Sequence, residues 1–397
     1  MFLKSNYLKP NMNSNETLTK INLEYFPDFK SKFSYNYEEP YFFSKAKKLL
    51  ESLKSIRQNK QYKSFILIGN GGSINPLLTL YYPFKPKNKN ILVLNSEDPY
   101  LIKKALSLNK KNSLVIAISK SGETSTVIFN YLTLSKYDSV VITSNKKSTL
   151  AKLAIKRKAK LFFCDKKISG RFSGFSESTL IPLQFLGLNL ASVKKIINGA
   201  LKVDFKEAFK LAEFLYKNEK KGYTTLYIPI YSTQLNPLFL MLSQLFHETF
   251  GKNKKGLTIY GGLAPETQHH SNQRFFGGRK DSQALIIYAK SNENFKLNKD
   301  LIPNIKYNGY SLRKLSDIDF NDLVKKECLG TLETAVSKNI PTAYLTTEIS
   351  YENIGLLLMF FYMTSYYSAL LRKVNPFNQP DVELSKEQAL KEIFGFK

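Results

Sequence analysis

Short apolar runs recur along the first half of the chain: SFILIG (64–69), ILVLN (91–95), SLVIAIS (113–119), SVVITS (139–144) and KLFFC (160–164). Amphipathic stretches of helix length separate them. Continuous rather than alternating apolar runs belong to strands covered on both faces, so the pattern predicts βαβ units and a parallel sheet. A helical pattern over 194–219 reads as a connector. A second alternation follows: TTLYIPI (224–230), a helix over 235–250, ALIIYAK (284–290), a helix over 315–338 and TAYLTTE (342–348). The expected fold class is therefore α/β, with two doubly wound parallel-sheet domains over 41–200 and 201–372 and a C-terminal helical segment over 373–397. A helix is predicted near 41–60 and an amphipathic one over 384–395. Residues 1–40 are rich in Asn and Lys, and read as an extension without a predicted structure.

One stretch, Asn353 to Leu371, has no charged residue and is long enough to cross a bilayer. It stands alone and contains Asn353, Thr364, Ser365, Ser368 and several tyrosines, so a buried core helix is the better expectation. No membrane partner is expected.

Composition narrows the class. A chain of 397 residues, 43% hydrophobic and 13% aromatic, can build two or three cores and is not disordered. Its formal net charge is +27, from 59 Lys+Arg against 32 Asp+Glu, yet only seven of those cations are Arg. Base readout favours the planar Arg fork, so an Lys excess spread along the chain reads as solvated surface and no nucleic-acid partner is expected. Two cysteines, Cys164 and Cys328, cannot make a disulfide framework, and no signal peptide is evident at the N-terminus. A reducing, cytoplasmic setting is the expectation.

Three places carry candidate chemistry. The first strand runs into Gly69-Asn70-Gly71-Gly72-Ser73, where glycines either let the backbone approach a ligand or serve a steric need of the turn. The third runs into Ser119-Lys120-Ser121-Gly122-Glu123-Thr124, which places hydroxyls and an ammonium at the start of a helix. That is the composition of a phosphate cradle, although Ser and Thr are also ordinary helix caps. It matches neither a dinucleotide fingerprint nor a Walker loop. Two such loops on one sheet favour a phosphorylated ligand at the strands' C-terminal ends. All three histidines, His247, His269 and His270, fall within 24 residues, with Glu248 beside the first. The spacing is not that of a zinc motif, and an acid–base site without metal is the simpler alternative to three unrelated polar residues.

Taken together, these segments resemble the glucose-6-phosphate isomerase family, built from two sugar-isomerase (SIS) domains of flavodoxin-like form. The resemblance runs from about residue 64 to 390, through IGNGGS (68–73), ISKSGET (118–124), SGRFS (169–173), HETFGKNKKG (247–256), QHHSNQ (268–273) and NPFNQPDVELSK (375–386). It implies that Glu248 shuttles a proton between sugar C1 and C2. His269, four residues before Gln273, and Lys386 would assist ring opening, and Arg171 would stabilise the enediolate. Ser119, Lys120, Ser121 and Thr124 would hold the phosphate, with Gly72, Ser73, Gln244 and Gln379 lining the sugar. The resemblance implies no metal or organic cofactor. It also implies a homodimer in which one subunit's histidine completes the other's site. Departures from the family pattern are Ser-Ile-Asn-Pro over 73–76, Ser169, Thr126-Val127, the Pro265-Glu266-Thr267 segment and the doubled histidine. The expected activity is interconversion of glucose 6-phosphate and fructose 6-phosphate, in glycolysis and gluconeogenesis. Alternatives are a dual phosphoglucose/phosphomannose isomerase, an amino-sugar phosphate isomerase and a catalytically silent sugar-phosphate regulator.

Overall fold

The computed structural model describes residues 20–22, 39–56 and 62–395. Most of the 1–40 extension and residues 57–61 lie outside the described residues; the helix expected over 41–60 stops at Ser52, where Leu53 turns to an extended conformation. Strand β1 (Lys20–Asn22) and helix α1 (Tyr41–Ser52) come first. The first sheet is then laid down by β2 (Ser64–Ile68), α2 (Asn75–Tyr81), β3 (Asn90–Leu94), α3 (Pro99–Leu106), β4 (Ser113–Ile118), α4 (Ser125–Thr133), β5 (Asp138–Thr143), α5 (Thr149–Lys156) and β6 (Lys160–Phe163). Its order is β3-β2-β4-β5-β6, parallel throughout. The strand order reverses between β2 and β4, and a doubly wound sheet binds ligands at the carboxyl ends beside such a reversal. Both candidate loops, after β2 and after β4, leave from that point.

The 194–219 pattern is not one helix. After α6 (Glu177–Phe185) come α7 (Leu190–Leu201) and α8 (Phe205–Lys220), separated at Lys202-Val203-Asp204. Asp204 caps the second, its carboxylate accepting from the N–H of Lys206. The second sheet follows with β7 (Thr225–Tyr231), α9 (Asn236–Phe250), β8 (Thr258–Leu263), α10 (Ser271–Gly277), β9 (Ser282–Lys290), the hairpin β10 (Lys306–Tyr307) and β11 (Tyr310–Ser311), α11 (Phe320–Ser337) and β12 (Thr342–Glu348). Its order is β1-β12-β9-β7-β8, with β1 antiparallel at the edge. The segment 20–22 thus belongs to the second sheet.

Strand β8 has no counterpart in the sequence reading. Its TIYGGL run contains Gly261 and Gly262 at φ +134° and +138°, and a Cβ on Gly261 would lie 2.3 Å from the carbonyl oxygen of Ile228 on β7. The glycines that hide the strand's apolar pattern are what let it close against its neighbour.

Alternation within each strand divides the core. On β2, Phe65 and Leu67 face one cluster and Ile66 and Ile68 another. The first cluster is shared by both sheets: Leu67 and Ile116 belong to it, as do Ile228 and Leu345. Its centre is the apolar helix α12 (Tyr351–Leu371), packed against α7, α8 and α9. That helix is long and apolar enough to span a membrane, and here it is mostly buried, packed on the helices of the shared core. Glycines let α7 and α12 cross closely: a Cβ on Gly199 would lie 1.9 Å from Glu352 O, and one on Gly355 1.9 Å from Ile196 O. The chain closes with α13 (Pro380–Phe394), which starts four residues earlier than expected and has no buried side chain.

Candidate active site

The loop after β4 is held in one shape by its own side chains. Ser119 Oγ accepts from the Gly122 N–H at 3.1 Å and lies 2.9 Å from Thr124 Oγ1. Ser121 Oγ accepts from the Glu123 N–H at 3.2 Å. Ser144 donates twice to the Lys120 carbonyl, from N–H at 3.0 Å and Oγ at 2.8 Å. Gly122 sits at φ +70°, and a Cβ there would collide with Ser148 Oγ at 2.1 Å. Thr124 occupies the N-cap of α4 without making a side-chain cap bond. The first-turn N–H groups of α4 are therefore not capped by that hydroxyl, which turns to Ser119 instead.

The loop after β2 packs against a second backbone. A Cβ on Gly72 would lie 2.2 Å from the carbonyl carbon of Gly170 and 2.6 Å from the N–H nitrogen of Arg171. Ser173 Oγ locks the approach, donating to Gly72 O at 2.9 Å. The two loops and the Gly170–Ser173 turn border a cleft lined by Gly72, Ser73, Lys120, Gly170 and Ser173 and backed by Cys164 and Asp165. Burial depresses the Lys120 ammonium pKa, the Arg171 charge pushes the same way, and Cys164 and Asp165 oppose.

Arg171, 1% exposed, reaches from that turn into the second half of the molecule. Its Nε donates to Glu248 Oε2 at 2.9 Å, and Nη1 donates to Glu248 O at 3.1 Å and Pro376 O at 2.7 Å. Nη2 donates to Gln379 Oε1. Burial lowers the guanidinium's pKa while the Glu248 carboxylate raises it. The other carboxylate oxygen of Glu248 accepts from Gln244 Nε2 at 2.9 Å, one helical turn back on α9, and Gln244 Oε1 accepts from Asn75 Nδ2 at 2.9 Å. Gly71, at φ +48°, leaves room for the Gln244 amide, which a Cβ there would meet at 2.6 Å. The set is a carboxylate oriented through both oxygens beside a buried cation, next to a cleft with an ammonium and a hydroxyl-lined helix start. Such a set can move a proton at a carbon and stabilise the oxyanion that results.

Not every expected residue joins it. His247 faces away, its Nε2 accepting from the Ile259 N–H at 3.3 Å, and desolvation lowers its pKa. His269 and His270 are exposed beyond β8, with the intervening turn tied down from behind: Gln268 Nε2 donates to the Tyr231 hydroxyl at 2.8 Å, and Tyr227 donates to Asn272 Oδ1 at 3.0 Å. Lys386 lies on α13, 57% exposed, with its ammonium 3.0 Å from Glu383 Oε1 on the same helix. The hydrogen bonds around Arg171 and Glu248 include neither His269 nor Lys386. One side chain there to which the sequence assigned no role is Lys252, just past α9 within the 247–256 segment. Among the described residues, no group of three or more His, Cys, Asp or Glu could hold a metal ion.

Comparison with known proteins bears on this arrangement. No family model matches the chain. It is 31% identical over 418 residues to a glucose-6-phosphate isomerase of Mesomycoplasma hyopneumoniae, covering 96% of this chain and 94% of the relative. It is 27% identical to the glucose-6-phosphate isomerase of Methanocaldococcus jannaschii, covering 85% and 86%. Among solved structures, a glucose-6-phosphate isomerase from Chlamydia trachomatis superposes with a TM-score of 0.68 at 20% identity, over 88% of this chain and 73% of that one.

Proposed function

The chain belongs to the glucose-6-phosphate isomerase family, and from the geometry of its cleft we propose how it interconverts glucose 6-phosphate and fructose 6-phosphate. The observation that carries the reading is the double fixing of the Glu248 carboxylate, by Arg171 Nε and Gln244 Nε2, each at 2.9 Å. A base that removes a proton beside a carbonyl and returns it one carbon away must be held in a single orientation through both transfers. Arg171 supplies permanent positive charge where the enediolate oxygen develops. Ser119, Ser121, Thr124 and the start of α4 accept the phosphate dianion, with Lys120 neutralising it. Gly72, Ser73, Gln244 and Gln379 face the sugar. Phosphate binding far from the reacting carbons supplies anchorage without favouring either isomer.

Ring opening needs a donor and an acceptor at the ring oxygen, the roles we assign to His269 and Lys386. His269, exposed on a turn anchored from within, suits delivery into the cleft of a second copy. The proposed working form is accordingly a homodimer with shared sites. Lys386 reaches the site by a rearrangement of α13, none of whose side chains is buried. The free thiols Cys164 and Cys328 fit a reducing, cytoplasmic compartment.

The deciding experiment is a coupled assay offering glucose, mannose and glucosamine 6-phosphates side by side. Turnover of the glucose ester to fructose 6-phosphate is the expected result. Binding of sugar phosphates without turnover would replace this reading with that of a silent regulator, and equal use of the mannose ester with that of a dual isomerase.

A further inference from the structure

Lys252 follows the C-cap glycine of α9 and turns its side chain inward, to 8% exposure. Asn253 and Lys254 after it take left-handed conformations, φ +54° and +59°, so the chain reverses at once. The buried ammonium finds its acceptors 123 to 126 residues away, on the segment 375–379 that leads into α13. Nζ donates to Asn378 O at 2.7 Å, to Asn378 Oδ1 at 3.0 Å and to Asn375 O. Arg171 grips the same strap through Pro376 O and, at 3.4 Å, Asn378 O. Two buried cations therefore share one short run of carbonyls.

Gln379, at the end of that strap, is the residue whose amide oxygen meets Arg171 Nη2. Anything that loosens 375–379 therefore also frees the guanidinium plane set against Glu248. We propose that Lys252 is a positioning residue for the isomerase reaction: its ammonium clamps the 375–379 strap and so fixes Arg171 and Gln379, and loss of its proton releases the clamp. The inference rests on the roles given above to Arg171 and Glu248.

The charged groups facing the ammonium are Arg171, from the Gly170 turn, and Glu248, from α9; the strap offers only neutral oxygens. Burial and the Arg171 charge together push Lys252 down to about 8, against the pull of Glu248. The clamp is then mostly charged at neutral pH and loses its charge as pH rises through about 8.

The test compares the full-length wild type with Lys252→Met and Lys252→Arg, reading kcat and KM from about pH 6 to 10. In parallel, hydrogen exchange is followed at the Phe377 amide, which donates to Asn375 Oδ1 at 2.8 Å. Expected for wild type is a kcat that falls through about pH 8. Lys252→Met should lower neutral-pH kcat by ~10–100-fold, as misplacement of a catalytic group does. It should lack the alkaline fall, leave KM within about threefold and speed exchange at Phe377 while α9 is unaffected. Lys252→Arg, which keeps its charge, should move the alkaline fall upward. Wild-type kcat with the same alkaline limb in the Met variant, or unchanged exchange at Phe377, overturns the proposal. If the Met variant does not fold, an alkaline fall in Lys252→Arg at the wild-type pH overturns it equally. A wild type without isomerase activity would instead remove the catalytic reading, and Phe377 exchange would still report on the clamp.

Discussion

Arg171 and Glu248 are 77 residues apart in the chain and 2.9 Å apart in space, Nε to Oε2, one from the turn that follows the first sheet and the other from the last turn of α9. The guanidinium is buried, while the carboxylate keeps 23% of its side-chain surface exposed. That asymmetry suits a fixed charge serving a group that must reach a ligand.

Replacing the carboxylate tests its role directly. Glu248→Gln preserves the shape and an acceptor for Arg171, yet removes the base. Turnover should fall by ~10²–10⁴-fold with KM changed little. Unchanged kcat in a coupled assay would mean that another group takes the proton.

Lys120 and His269 should separate in kinetics. Lys120→Ala removes charge from the phosphate anchor and should raise KM more than His269→Ala does, with His269→Ala acting mainly on kcat. The reverse ranking in the same assay would take the phosphate role from Lys120.

Subunit sharing can be read from complementation. Glu248→Gln and His269→Ala chains, each inactive alone, are unfolded together and refolded as a mixture. If the histidine crosses the interface, mixed dimers carry one intact site and the mixture recovers about a quarter of wild-type activity. No recovery, with mixed dimers present by mass, would place His269 in its own subunit's site.

The contact of the Gly72 backbone with Gly170 leaves no room for a methyl group. Gly72→Ala should cost about 1–3 kcal/mol of stability, the usual range for overpacking. It should also lower kcat, because the backbone it displaces, the Gly170 carbonyl and the Arg171 nitrogen, carries the Arg171 side chain. A variant with wild-type melting temperature and activity would show that the two loops separate freely.

Alkaline stability should report buried phenols. Desolvation raises Tyr81 and Tyr231 from 10.0 to about 12, and Tyr62 likewise, with a further push from Asp138. A folded pKa above the unfolded one gives stability that is whole below pH 10 and is lost as pH rises through about 12. Melting temperature should therefore decline across that window, with phenolate absorbance from these groups appearing only as the chain unfolds. Phenolate absorbance rising near pH 10 in the folded protein would contradict it.

What the sequence made legible follows from where its signals are local. Strands such as Ser113–Ile118 are buried along their whole length, so their apolar runs are unmistakable. The loops at Gly69–Ser73 and Ser119–Thr124 were readable because their residue types serve local geometry. Strand β8 was not, since its glycines erase the pattern that would reveal it, nor was the break between α7 and α8, where helical periodicity runs on across Lys202-Val203-Asp204. Lys252, inside the 247–256 segment, carried no role for another reason: its partners at Asn375 and Asn378 are known only once the chain is folded.

Helix α12 has a consequence for how the molecule comes into being. It is the element around which both sheets share a core, yet it is encoded after all of them. On the ribosome, α7 and α8 leave the exit tunnel with their apolar faces bare and wait through more than a hundred residues for the helix that covers them. The first sheet can assemble during that interval, but the shared core cannot close until α12 has emerged, which makes the chain up to that point dependent on protection from aggregation.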